Sequence, residues 1–482
     1  MALTLARDDA ARWAYLAFAL TMLRAVQRAR TKDVAKENLL SFFAALLPAE
    51  LAHKFLALNA GVVIWLRRSR TPVLAGWVGA VAGCVQCVAV LRLSEMWRDN
   101  VSAKRAIRAA MAAQSDIEPS KLRRLGDLSA RNWLSVLLPL PQTTALALSF
   151  PGVANIGSVV YAHVGSNSAT RLKMDVYRHR DIQPGAPIFL YIHGGAWVMG
   201  DRKNPPRPLI HQVAALGWLV CVIDYRLSPK VAFPSHLIDS KRAPGFEHVD
   251  TSVRGCVDTY GVHDFTDRHG VFFYKDKSYS FVRFIELVVM QKKLKDAARA
   301  FDQASPVSWV QHGQELQNGG DAPALAAAVR VVPPFLVSHG TYDTLVPFQD
   351  SLLFFESLQK FRERQQRALG LSSSAAAPDG LAGGSVQDVF LEIPDAHHAF
   401  NYLVSPRALA FGEAVCAFLD NLQAKTKHLP LGTLVPATRT APLSGAAVAV
   451  AAPRGGESED PLTTFSSSAE MPSRAGPTAS RL

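Results

Sequence analysis

Three groups of residues in this chain have the types needed for acyl chemistry, and each stands at the end of an apolar run. His193-Gly194-Gly195-Ala196-Trp197 follows directly on Pro187–Ile192 (PIFLYI). Glycines at such a place let the backbone approach a bound molecule closely and aim successive N–H groups at one point, where they would stabilise an oxyanion. Asp343, in His339-Gly340-Thr341-Tyr342-Asp343, follows Phe335–Ser338, a position from which a carboxylate can orient an imidazole. His397 and His398, in Asp395-Ala396-His397-His398-Ala399-Phe400, follow Val389–Ile393. Singly, each reads as an ordinary loop residue. Together, in this order, they point to general-base-assisted attack on a carbonyl.

The elements that must position these groups begin beyond Pro151, where short β-branched runs alternate with helical stretches in the manner of an α/β domain. Ser158–Val164 and Leu172–Arg178 alternate like an antiparallel hairpin. Pro187–Ile192 and Trp218–Asp224 are continuous apolar runs, as parallel strands covered on both faces would be. Phe335–Ser338 and Val389–Ile393 read as two further strands, followed by helices over Pro347–Arg367 and Ser405–Lys425. Residues 371–385 read as a Ser/Ala/Gly-rich loop insertion, and 429–482 as a disordered Pro/Ala/Ser/Gly-rich tail. The hydrolytic residues therefore fall within a domain expected over 151–428.

Residues 1–150 have a different character. The formal charge is +12, and residues 1–130 hold 19 Lys/Arg against 10 Asp/Glu, leaving +3 for the rest of the chain. A basic, Arg-flanked, apolar segment suits anionic lipid, and no basic stripe with interleaved aromatics argues for nucleic acid. Residues 72–91 (PVLAGWVGAVAGCVQCVAVL) are long enough for a transmembrane helix, with a second candidate at 39–66 broken by Pro48, Glu50, His53 and Lys54. Arginines on both sides of 72–91 leave its orientation open. Trp13–Leu23 is too short to span, so signal peptide, transit peptide and amphipathic helix stay open there. Five cysteines in 482 residues make no disulfide framework, and the Cys84/Cys87 pair lies within the apolar run without a second pair. The terminus Ser480-Arg481-Leu482 is similar to a Ser-Lys-Leu peroxisomal address, although an intracellular membrane is the expected location.

Over residues 150–425 the chain resembles the esterase and lipase group of α/β-hydrolases related to hormone-sensitive lipase, in particular bacterial-type carboxylesterases with an N-terminal hydrophobic region. The resemblance rests on LKMDVYR, YIHGGAWVMGD, VIDYRLSPKVAFPSHLID, YGVHDFTDR, ASPVSWV, PPFLVSHGTYDTLVP and AHHAFNY. It implies an α/β-hydrolase fold, a mostly parallel sheet with helices on both faces. It also implies Gly194 and Gly195, beside Ala196 and behind His193, in the oxyanion hole, with Asp343 as triad acid and His398 as general base. His397 is the lesser candidate because the family's histidine abuts Ala-Phe. A small-molecule or lipid ester is the implied substrate, and no cofactor or metal is needed.

The nucleophile is missing. The family's serine sits in G-x-S-x-G on a strained turn between a central strand and a helix, and no serine here lies in that pentapeptide. The nearest, Gly383-Gly384-Ser385-Val386-Gln387, falls in the low-complexity insertion. The gap lies where Ala243 is joined directly to Pro244, and a strand–helix unit of roughly 30 or more residues is what the junction leaves out. The expected fold is thus short of one central strand and its helix, with neighbouring strands left unpartnered. A catalytically inactive form of an ester hydrolase follows, produced by exon skipping or misassembly. The alternative is a pseudohydrolase acting as a membrane-bound binding or scaffolding protein.

Overall fold

The computed structural model describes residues 2–31, 39–68, 72–117, 130–137, 150–165, 169–241, 253–272, 281–317, 332–368 and 386–427. The junction of Ala243 and Pro244, the insertion 371–385, the tail 429–482 and its terminal Ser480-Arg481-Leu482 lie outside the described residues. Strands β1 (Val153–Val164) and β2 (Thr170–His179) form the antiparallel hairpin. Strand β3 (Ile188–Ile192) pairs in parallel with β4 (Leu219–Ile223), and the first sheet has the order β1-β2-β4-β3. A separate parallel sheet holds β5 (Cys256–Thr259), β6 (Phe335–Gly340) and β7 (Val389–Ile393) in chain order.

One core lies beneath both sheets. Leu209, Ile210 and Val213, from the helix Arg207–Ala215 between β3 and β4, pack with Phe411, Val415 and Phe418 of the helix Pro406–Thr426 that follows β7. Val220 and Val222 of β4 join this cluster from one sheet, and Leu336, Val389 and Leu391 of β6 and β7 from the other. The helix Phe348–Ala368 covers the opposite face of the second sheet, setting Phe354 and Leu358 against Val337 and Phe390. β6 and β7 are therefore buried on both faces, as continuous apolar runs should be.

β3 departs from that expectation. Phe189 and Tyr191 turn toward the common core, but Ile188, Leu190 and Ile192 are 63%, 45% and 48% exposed. Side chains alternate along a strand, so these three share one face, and among the described residues no element covers it. Among the described residues, the outer edge of β3 and the outer edge of β5 are each without a strand partner. The run was expected to be covered on both faces; among the described residues one of its faces is bare.

The described part of the N-terminal region holds three long helices, α1 (Ala2–Ala29), α2 (Leu39–Arg68) and α3 (Gly76–Gln114), and a short one over Ala130–Leu137. The apolar segment 72–91 is not helical throughout: Pro72–Ala75 is a turn closed by Ala75 N–H to Pro72 O, and the helix then continues well past Leu91. α2 contains Pro48 and departs from helical geometry at Leu51. Two helices, Phe42–Arg68 and Gly76–Gln114, are long and apolar enough to cross a membrane. The far end of α3 enters the half that holds the two sheets instead. Ile107 and Met111 join the common core, and the Gln114 amide pairs with both N–H and C=O of Phe390 at 2.9 Å, occupying the open edge of β7.

Candidate active site

Asp343 lies just beyond β6 with its carboxylate shut off from solvent. One oxygen accepts the N–H groups of Leu345 and Val346, both at 2.9 Å, and the other accepts His398 Nδ1 at 2.7 Å. His339, on β6 itself, brings Nε2 to 3.1 Å of that same oxygen. Burial raises the carboxyl's pKa, but His398, His339 and their hydrogen bonds outweigh it and hold the group well below the usual carboxylate range. The acid is thus ionised and fixed, and an imidazole held through Nδ1 has Nε2 free to act as a base.

The two adjacent histidines have opposite environments. His398 keeps 19% of its side chain exposed and lies 4.4 Å from the Tyr260 ring, with Phe42 of α2 at 6.3 Å. His397 is fully buried, its Nε2 2.8 Å from Ala29 O at the end of α1, and burial pushes its pKa down. The loops carrying acid and histidine touch through their backbones. Tyr342 N–H reaches Ala396 O at 3.0 Å, and a Cβ on Gly340 would come within 2.2 Å of that oxygen. Glycine is required at that position by space alone.

The loop after β3 turns sharply, with φ of +120° at Gly195, 52° at Ala196 and 61° at Trp197. A Cβ on Gly195 would meet Met199 O at 2.1 Å. His193 is buried under the Tyr225 ring at 4.5 Å, and the Tyr225 hydroxyl donates to His193 O at 2.8 Å. Arg202 closes the loop, pairing with Asp175 at 2.8 Å and with Asp224 at 2.5 Å. The Gly194 N–H faces the Tyr402 hydroxyl, which lies 3.2 Å from the Tyr191 hydroxyl. Tyr402 follows His398 by four residues, so the glycine loop and the histidine loop meet.

Comparison with known proteins gives the same direction. The BD-FAE family matches residues 174–248. Esterase LipQ of Mycobacterium tuberculosis is 26% identical over an alignment of 306 positions, which draws on 54% of this chain and 62% of LipQ. The probable carboxylic ester hydrolase LipM of the same organism is 26% identical over 438 positions, drawing on 81% of this chain and 88% of LipM. The chain is similar to hormone-sensitive-lipase-like esterases of the α/β-hydrolase fold. It spans less than two thirds of LipQ and most of LipM. Among solved structures, carboxyl esterase 2 of the fungus Tuber melanosporum aligns over 69% of this chain and 99% of its own, at 16% identity and a TM-score of 0.39.

The site contains contacts that motif reading did not reach. His339 was named only within the segment that leads to Asp343 and is a second partner of that carboxylate. Tyr260 and Tyr402 sit in YGVHDF and HAFNY, yet their part in seating His398 and the glycine loop depends on contacts between segments distant in sequence. Among the described residues, His398 has one side-chain hydrogen-bond partner, Asp343. No group of three or more His, Cys, Asp or Glu side chains gathers there in a metal-binding arrangement.

Proposed function

We propose that the chain is a membrane-held member of the carboxylic-ester hydrolases that keeps the oxyanion loop (Gly194, Gly195, Ala196) and the Asp343–His398 pair but lacks the serine they serve. It turns over no ester in this form. The observation that carries the reading is the divided sheet: β3 and β5 have open edges, and β3 bares Ile188, Leu190 and Ile192. A strand between those edges, followed by a helix over the bared face, would repair both defects. The sequence leaves room for that unit at one place, between Ala243 and Pro244. Alignment length supports the same conclusion. Eighty-one per cent of 482 residues is about 390, so about 48 of the 438 positions in the LipM alignment face no residue of this chain, enough for a strand–turn–helix unit.

In the complete site, His398 would take the proton of the serine hydroxyl as it attacks the ester carbonyl. The N–H groups of the glycine loop would receive the developing oxyanion, and His398 would then protonate the departing alcohol. Trp197, packed on Phe265 at 5.1 Å, and the half-exposed Met199 would give that site apolar surroundings suited to a small-molecule or lipid ester. The test is restoration. The corresponding strand–G-x-S-x-G–helix block of LipM, inserted between Ala243 and Pro244, should bring hydrolysis of short-chain nitrophenyl esters from background to readily measured rates. A folded insertion variant as silent as the original chain would refute the reading.

A further inference from the structure

The three apolar runs of the N-terminal region lie side by side at one level. Near the hydrolytic half they meet in a cluster of Val26 and Ala29 from α1, Ala49 and Ala52 from α2, and Leu93 and Met96 from α3. At the other end they meet again through Tyr15, Leu66, Val73 and Ala82. Between the two clusters the buried Gln86 amide donates to the buried Asn59, joining these two polar side chains inside the bundle. The outward faces are apolar, with Leu20, Leu58, Ile64, Val81, Val88 and Leu91 all exposed.

Charge bounds this band on both sides. Arg24, Lys54 and Arg92 stand at its inner margin, where Arg92 and Arg30 pair with Glu95 at 2.9 and 3.1 Å. At the outer margin stand Arg12, whose Nε donates to Pro72 O at 3.2 Å, and Arg67 and Arg68. Each helix also places one tryptophan there. Trp13, Trp65 and Trp77 are 53%, 65% and 70% exposed, and the rings of Trp13 and Trp77 meet edge-on at 5.9 Å. An exposed tryptophan on every helix at the same height, beside arginines, is the composition of a bilayer interface.

The band is thin. Trp13–Leu23, Phe55–Leu66 and Trp77–Leu91 are 11, 12 and 15 residues long. At the helical rise these are about 16, 18 and 23 Å, against roughly 30 Å for an ordinary hydrocarbon core. Insertion into one leaflet would leave Arg12, Arg67 and Arg68 near the bilayer midplane, which is costly. Crossing an ordinary bilayer would leave the same arginines short of the far headgroups.

We propose that α1, α2 and α3 form a single lipid-facing belt that crosses a bilayer of thin hydrocarbon core, with the outer arginines and tryptophans at the far headgroups. Runs individually too short to span thereby act as one spanning unit. This inference rests on the membrane reading above and adds the thickness of the partner. The full chain, purified in detergent, would be reconstituted into phosphatidylcholine vesicles with 14:1, 18:1 or 22:1 acyl chains, all fluid at the same temperature, and carbonate-resistant incorporation measured. Incorporation should be highest in 14:1 lipid and fall about tenfold toward 22:1, as mismatch grows. Equal or better incorporation in 22:1 lipid would overturn the belt while leaving membrane attachment standing. Absence from all three would overturn both.

Discussion

The two sheets differ in how completely they are finished. In the second, β6 lies between two partners, both its faces are covered, and α3 reaches across to occupy the edge of β7. In the first, β3 has one partner and one covered face. The finished half carries Asp343 and His398, proposed as acid and base, and the unfinished half carries the glycine loop proposed to hold the oxyanion. A site divided this way teaches that each half is carried by its own strands while a common core beneath both sheets holds the two together. On the proposed reading, what should join them is a central strand with the serine at its end.

The largest effect expected is on the restored chain. With the strand–serine–helix block in place, His398→Ala should lower kcat by several orders of magnitude and Asp343→Asn by somewhat less, measured on a nitrophenyl ester. Unchanged turnover in His398→Ala would move the base to His397 or dissolve the pairing of the halves. The stability of the finished half provides the next test. Arg407, fully buried, pairs with the equally buried Glu50 of α2, which also accepts from Ser405 at 2.7 Å. Removing one member of a buried pair leaves the other charge uncompensated. Glu50→Ala should therefore cost about 3–5 kcal/mol in denaturant unfolding; a cost under about 1 kcal/mol would deny that α2 braces the histidine loop.

Hydrogen exchange addresses the sheets directly. N–H groups of β3 directed at its open edge should exchange orders of magnitude faster than those of β6, and restoration of the central strand should slow them. Equal protection in the original chain would mean that β3 is covered after all. A smaller effect concerns pH. His263 is enclosed between Asp258 at 3.0 Å and Asp350 at 3.1 Å. Burial alone would lower its pKa, but the two carboxylates, Asp258 foremost, raise it to about 10. A pKa raised in the folded state stabilises fully below the unfolded value, about 6.5, and that contribution is lost as pH climbs toward 10. Unfolding followed at pH 6, 8 and 10 should show a decline that Asp350→Asn reduces. A flat profile would show that His263 is not charged.

The apolar strands of both halves were legible in the sequence. Val389–Ile393 coincides with β7, and Phe335–Ser338 and Pro347–Arg367 fall within a residue or two of the strand and helix found, because continuous apolar runs and helical periodicity are local signals. Asp343 and His398 stood out for the same reason, each one step past such a run. β5 was not recognised as a strand: Cys256–Thr259 is four residues with a carboxylate among them, too short for periodicity to register. The bared face of β3 was equally hidden, since an apolar run reads alike whether or not a layer covers it. Nor could the separate apolar runs of α1 and α2 show that they stand beside α3, a relation fixed by packing between helices.

The absence of a working nucleophile is the central claim, and active-site-directed labelling tests it most directly. The purified full-length chain would be treated with a fluorophosphonate probe, with and without prior exposure to an excess of a competing serine-hydrolase inhibitor, and its labelled peptides identified by mass spectrometry. No serine should take up the probe in an inhibitor-sensitive manner, whereas the chain carrying the LipM block should be labelled at the inserted serine. Stoichiometric, inhibitor-blocked labelling of any serine in the original chain would contradict the account.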